Sequence, residues 1–160
     1  MSEAVLSIGS NLGDRLGHLQ AAADMFRPWL RGVSPVYETA PWGPVAQDDY
    51  LNAVLLVADD DATPGDWLAR AHDAERAAGR VRDVRWGPRT LDVDVIVVDA
   101  TTSDDPALTL PHPRAAERAF VLVPWLAADP RAALGGREVG AIIDGIDASG
   151  VRPRPDLVVV

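Results

Sequence analysis

Arg89-Thr90-Leu91-Asp92-Val93-Asp94-Val95-Ile96-Val97-Val98 alternates apolar and acidic residues and then turns wholly apolar, the pattern of a β-strand. Successive strand side chains face opposite ways. Leu91, Val93, Val95 and Val97 are therefore expected on one apolar face, with Asp92 and Asp94 together on the other. Two adjacent carboxylates repel, which is costly on so apolar a strand unless a cation neutralises them. Hard oxygen ligands of this kind suit Mg²⁺, with phosphate completing the shell. The alternative is a solvated strand end.

Upstream of this strand, residues 75–89 carry five arginines, Arg76, Arg80, Arg82, Arg85 and Arg89, in a chain whose net charge is −9. Guanidinium forks match phosphate oxygens in pairs and stay charged, so a polyphosphate is the natural ligand. Gly79 and Gly87-Pro88 flank the loop and would let it close over that ligand. A solvated basic loop paired with an acidic surface is the bland reading.

Working outward, Ala4 to Ile8 is β-prone, Gly9 to Gly13 breaks it, and Asp14 can cap a helix carrying Leu16, Leu19, Ala23, Phe26 and Leu30. Val33 to Tyr37 reads as a second strand, followed by the Pro/Gly-rich loop Thr39-Ala40-Pro41-Trp42-Gly43-Pro44. Tyr50 to Ala58 is a third strand. Pro64 suits the first turn of a second helix, which runs to Gly79 with Trp67, Leu68, Ala71 and Ala74 at helical spacing. In the last third, Leu108 to Leu110 is expected as a short strand and Ala115 to Ala128 as partly helical despite Pro124. Val139 to Ile146 should form a short helix, and Arg152 to Pro155 a linker to an edge strand at Val158 to Val160. The order β-α-β-β-α-β predicts an α+β, ferredoxin-like fold with a mostly antiparallel sheet. Residues 1–160 fit a single domain.

Composition removes whole classes of function. Without cysteine there are no disulfides, zinc-thiolate sites or iron-sulfur clusters. All 15 basic residues are arginine, so a phosphate loop built on a Gly-Lys pair is impossible. The acidic balance argues against nucleic acid and anionic membranes as partners. No basic-then-apolar leader opens the chain, and the apolar run from Ala119 to Ala128 is too short to span a bilayer; a cytoplasmic location is the default.

Two smaller constellations remain. Tyr50 and Asn52 share a strand face, so one could stack on a flat ring while the other offers a donor and an acceptor. Aromatics at strand ends are more often core residues. His112 sits between Pro111 and Pro113, where fixed backbone direction suits a phosphate ligand or proton handler. His18 and His72 fall in predicted helices and acquire no role from chemistry alone.

Taken together, Gly9 to Arg15, Tyr50 to Val54, Gly79 to Arg82, Arg85 to Asp94 and Pro111 to Pro113 resemble the hydroxymethyldihydropterin pyrophosphokinase family, in order from about Leu6 to Trp125. The resemblance implies a three-layer αβα form of the fold and transfer of the β,γ-pyrophosphoryl group of ATP to a pterin hydroxymethyl group in folate biosynthesis. It also implies a monomer acting on small molecules. Asp92 and Asp94 would bind two Mg²⁺ ions. Arg82, Arg89, His112 and Arg118 would hold the triphosphate, with Leu68, Val95, Leu108 and Thr109 around the nucleoside; Arg82 and Arg89 would act in catalysis with the two aspartates. His72 stands where some relatives carry glutamine against the nucleotide. Tyr50 and Phe120 would sandwich the pterin, Asn52 would read its amide edge, and Thr39, Ala40, Pro41 and Trp42 would line the pocket. Trp86 would close it against both substrates. Asp48 replaces a proline common in the family.

Two rival classes are a non-catalytic sensor and an RNA-binding ferredoxin-like domain. A degenerate sensor would be expected to lose metal or phosphate ligands, and RNA binding needs a basic sheet.

Overall fold

The chain runs β1 (Ser2–Ser10), α1 (Arg15–Met25), β2 (Leu30–Val33), β3 (Tyr37–Thr39), β4 (Tyr50–Asp59), α2 (Pro64–Ala77), β5 (Asp92–Val98), α3 (Ala119–Ala128), β6 (Ala133–Leu134), β7 (Arg137–Glu138), α4 (Val139–Asp144) and β8 (Arg152–Pro153). The computed structural model describes residues 2–41, 44, 46–79 and 90–160. β4 is the middle strand of a sheet of order β5-β1-β4-β3-β8, with β2 also on β4, and β1 lies between β4 and β5. Every pairing along it is antiparallel. This is the ferredoxin-like arrangement expected from the element order.

Both faces of the sheet are covered. Leu6, Ile8, Ala53, Leu55, Val93 and Val95 pack with Leu19 and Phe26 of the α1 segment and Trp67 and Ala71 of α2. On the other face Val5, Val54 and Ile96 pack with Val121, Leu122 and Trp125 of α3 and Val139 and Ile142 of α4. Burial on both sides explains why β4 reads as a nearly unbroken apolar run from Ala53 to Ala58.

The helix starts follow local chemistry. Asp14 Oδ1 accepts from Gly17 N–H at 3.0 Å, capping α1 as expected. Thr63 and Asp66 form a reciprocal capping box at α2, with Pro64 in the first turn. α2 gives way at Gly79, whose φ of +72° suits glycine. Arg70 of α2 lies 3.8 Å from the Trp29 ring centroid and pairs with Asp59 at 2.8 Å, locking that helix to the sheet.

Five local expectations are corrected. The first helix stops at Met25, because Pro28 disfavours helical geometry before it; a 3₁₀ turn over Arg27–Trp29 follows and Leu30 opens β2. The single strand predicted over Val33 to Tyr37 is two, split where Pro35 offers no N–H and Ser34 Oγ accepts from Val54 N–H at 2.8 Å. A register shift opposite Val5 and Leu6 carries Val97 to the α3 side beside Ile96 and returns Val98 to the first core. Around Leu108 to Leu110 only Leu110 bridges, to Ser103, because Leu108 N–H closes a turn onto Asp105 O at 2.9 Å. The edge strand is Arg152–Pro153, not Val158 to Val160: Val159 enters the core, and Val160 bonds the Gln20 side chain instead of a strand. Pro153 is tolerated there because an edge strand has one side free of the ladder.

Candidate active site

The register of the adjacent strands β5, β1 and β4 brings the acidic pair and the amide to one line. Gly9 of β1 is opposite Asp92 of β5 on one side and Asn52 of β4 on the other, while Ser7 is opposite Asp94 and Val54. Register neighbours share a face, and Val54 packs against α3, so Asp92, Asp94 and Asn52 all face the α3 side. At about 4.7–4.9 Å between neighbouring strands, Asp92 and Asn52 stand about 10 Å apart at the backbone. The two aspartates therefore share a face, as their spacing predicted.

On the outer side of β5 lies a cavity of about 300 Å³. Asp92, Asp94 and Val95 line it from the strand, Leu68 and His72 from α2, and Leu108, Thr109 and His112 from the segment after β5. Eight predicted metal- and nucleotide-side residues thus converge on one volume. Glu75 lines it too, and was missed. It is buried, and its Oε2 accepts from Val93 N–H at 3.0 Å, tying α2 to the exposed edge of β5. The spacing of Leu68, His72 and Glu75, one helix face at i, i+4 and i+7, was the available signal.

His112 is held by its backbone N–H donating to Ile96 O at 2.8 Å, and its Nδ1 accepts from Arg114 N–H at 3.2 Å. An Nδ1 that accepts leaves the ring proton of the neutral imidazole on Nε2. Burial first, then the charges of Arg118 and Arg114, hold its pKa below the ordinary value, against the pull of Asp92. His112 is thus a neutral Nε2–H donor near pH 7. Arg118 Nη1 stands 3.9 Å from Asp94 Oδ2, and its guanidinium carbon is 5.6 Å from the Phe120 ring centroid. Arg118 thereby links the acidic pair to the aromatic side.

On that aromatic side, Asn52 is buried and its Nδ2–H donates to Thr39 Oγ1 at 2.7 Å. A Cβ on Gly9 would sit 3.0 Å from Asn52 Oδ1 and 3.4 Å from Tyr50 Cδ1, so the glycine leaves room for both groups. Tyr50 shares its strand face with Asn52, and Phe120 projects from α3 into the core on that same side of the sheet. Ala40 is exposed and Pro41 half-buried beyond β3. Just before β4, Gln47 and Asp48 are tied to the end of β1: Asn11 Nδ2 donates to Gln47 Oε1 at 2.7 Å and to Asp48 O at 2.9 Å. Trp42, Arg82, Trp86 and Arg89, all predicted site residues, lie outside the described residues.

Against this geometry, the model of the 7,8-dihydro-6-hydroxymethylpterin-pyrophosphokinase (HPPK) family matches residues 5–130. The chain belongs to the HPPK family. It is 52% identical over 143 residues to the 2-amino-4-hydroxy-6-hydroxymethyldihydropteridine pyrophosphokinase of Mycobacterium tuberculosis, covering 84% of this chain and 76% of that one. The enzyme of the same name from Methylorubrum extorquens is 40% identical over 155 residues, covering 94% of this chain and 98% of its own length. Among solved structures, HPPK-DHPS of Plasmodium falciparum superposes with a TM-score of 0.70 at 13% identity, covering 90% of this chain. This chain spans 44% of that longer protein, and the likeness shows a shared HPPK fold. Family membership and the three-layer αβα architecture inferred from the resemblance therefore hold.

Asp92 and Asp94 stand on one face, and among the described residues no group of three or more His, Asp or Glu could hold an ion by itself. Mg²⁺ dehydrates reluctantly and is commonly held by one or two carboxylates plus substrate phosphates. The donor set fits that ion.

Proposed function

We infer that this chain is an ATP-dependent pyrophosphokinase that moves the diphosphoryl group of ATP onto the hydroxymethyl oxygen of 6-hydroxymethyl-7,8-dihydropterin, releasing AMP, in folate biosynthesis. The observation that carries the reading is the row Asp92, Gly9, Asn52 across adjacent strands, which sets the phosphate-side carboxylates beside the ring-side amide. It supports two substrates meeting end to end on one sheet face.

In this reading Asp92 and Asp94 hold Mg²⁺, two ions when nucleotide is bound. Bound there, the metal supplies charge neutralisation to the phosphates being transferred. The remaining work belongs to the chain. Leu68, His72, Val95 and Leu108 enclose the nucleoside; Thr109, whose hydroxyl donates to Asp105 O at 3.1 Å, keeps lone pairs for a ligand donor. His112 donates Nε2–H to a phosphate oxygen, and Arg118 swings from Asp94 to the triphosphate, where Arg82 and Arg89 join it and act in catalysis. Tyr50 and Phe120 stack on the pterin, Thr39, Ala40, Pro41 and Trp42 frame it, Asn52 reads its edge, and Trp86 closes both pockets. Phosphoryl transfer asks mainly for such positioning and charge stabilisation. Among the described residues no helix is long and apolar enough to cross a membrane, and the reading assigns a cytoplasmic, monomeric, single-domain enzyme acting on small molecules.

Incubating the protein with Mg²⁺, ATP and the reduced pterin alcohol tests it. AMP should form in step with the pterin diphosphate. ADP in its place, or no pterin-dependent AMP, would contradict the assignment.

A further inference from the structure

The HPPK family model ends at residue 130, yet the chain returns after it to the ring side of the site. β8 pairs with β3, Glu38 opposite Arg152 and Tyr37 opposite Pro153, and Arg154 N–H donates to Val36 O at 2.9 Å. Side-chain bonds reinforce the backbone ones. Arg154 Nη1 donates to Glu38 Oε1 at 2.9 Å, and Arg152 Nη2 donates to Asp49 Oδ2 at 2.7 Å. Arg15, from the first turn of α1, donates one guanidinium nitrogen to Glu38 Oε2 at 2.5 Å and to Asp49 O at 3.0 Å.

These contacts join two points that matter for the pterin. Glu38 sits mid-strand in a three-residue β3 whose next residue is Thr39, the acceptor for the Asn52 amide. Asp49 immediately precedes Tyr50. Alternation puts Glu38 on the α1 face and Tyr37 and Thr39 on the site face, so the arginines grip β3 from behind. The Glu38 carboxyl is held below the usual carboxylate range by Arg15 first and Arg154 after it, against burial. Farther along, Val159 is buried in the core and Gln20 and Arg27 hold the Val160 carbonyl, which anchors the tail itself.

We propose that the C-terminal segment Arg152–Asp156 is a positioning element for the pterin pocket, bracing β3 and the residue before Tyr50 through Arg152, Arg154, Glu38 and Asp49. The proposal rests on the pterin-side reading of Thr39, Tyr50 and Asn52. Its specific consequence is selective: the brace touches neither β5 nor the cavity beside it, so its loss should affect the pterin and spare the nucleotide.

A charge swap tests it. Arg152 is exposed, so Arg152→Glu disturbs no core; it places a third carboxylate beside Glu38 and Asp49. With Mg²⁺ and a non-hydrolysable ATP analogue present, pterin affinity should fall about fivefold to tenfold, a coupling typical of contacting charges. Affinity for the analogue should stay within about twofold, and adding Asp49→Arg should restore pterin affinity to within about twofold of wild type. Unchanged pterin affinity in Arg152→Glu overturns the brace, as does an equal loss for both ligands that Asp49→Arg does not repair. If the wild-type protein itself binds no pterin, the underlying site reading falls and the brace with it.

Discussion

The two sides of the site are built differently. On the proposed nucleotide side, beside β5, Leu68 and His72 of α2, Val95 of β5, and Leu108, Thr109 and His112 after it come from three separate segments and meet around a cavity. On the proposed pterin side, the groups are already bonded to one another: Asn52 to Thr39, Asn11 to Gln47 and Asp48, and Glu38 to Arg15 and Arg154. A flat, neutral ring gains little from charge and much from a pocket fixed in advance, since ordering side chains on binding costs affinity. A triphosphate brings its own charge and can organise arginines around itself.

That contrast can be broken from either side. The largest effect should come from Asp92→Asn or Asp94→Asn, which in the proposed site removes a hard ligand and a negative charge at the reacting phosphates. Turnover should drop about 10²–10³-fold, the usual cost of losing one preorganised electrostatic group, with an unchanged circular dichroism spectrum. Near-wild-type turnover at ordinary Mg²⁺ would remove the metal role. Next in size, Asn52→Ala takes away the amide proposed to read the ring and leaves the Thr39 hydroxyl without its buried donor. Such losses cost about 1–3 kcal/mol, so pterin affinity should weaken about 10–100-fold while nucleotide affinity holds. Equal weakening of both ligands would mean that Asn52 serves the sheet and not the pocket.

The smallest expected effect is a pH dependence from His112. Its folded-state pKa lies below the ordinary 6.5, so the unfolded chain takes up the proton more readily. The stability it contributes is present above about 6.5 and is lost as pH falls through the lowered folded value. Melting temperature should therefore fall more steeply below pH 6.5 in the wild type than in His112→Asn. Parallel curves would mean that the imidazole is not held neutral.

The sequence was most legible where one strand carried the signal. Leu91 to Val95 announced its face pairing, because a period of two on a short apolar strand admits few other readings. Asp14, Pro64 and Gly79 marked helix ends through local rules that tertiary contacts did not override. Legibility failed where partners are distant in sequence. Glu75 bonding Val93 N–H, and Arg154 reaching Glu38 across |i−j| = 116, depend on topology that no window of residues contains. The slip that sends Val97 to the other face arises from pairing with β1, not from anything within β5. Val158 to Val160 misled for the opposite reason: strong β-propensity was overridden by a tail anchored through Gln20 and Arg27.

The central claim is that the acidic pair sits between the two substrates and couples them. Calorimetric titration of the reduced pterin, with and without Mg²⁺ and a non-hydrolysable ATP analogue, addresses it most directly. Without metal and nucleotide, Asp92 and Asp94 leave negative charge beside the ring pocket, and affinity should be poor. With both present that charge is neutralised, pterin should bind more tightly, and by linkage the pterin should tighten nucleotide binding by the same factor. Equal pterin affinities in the two titrations would show that the sites are independent and that the row Asp92, Gly9, Asn52 does not join them.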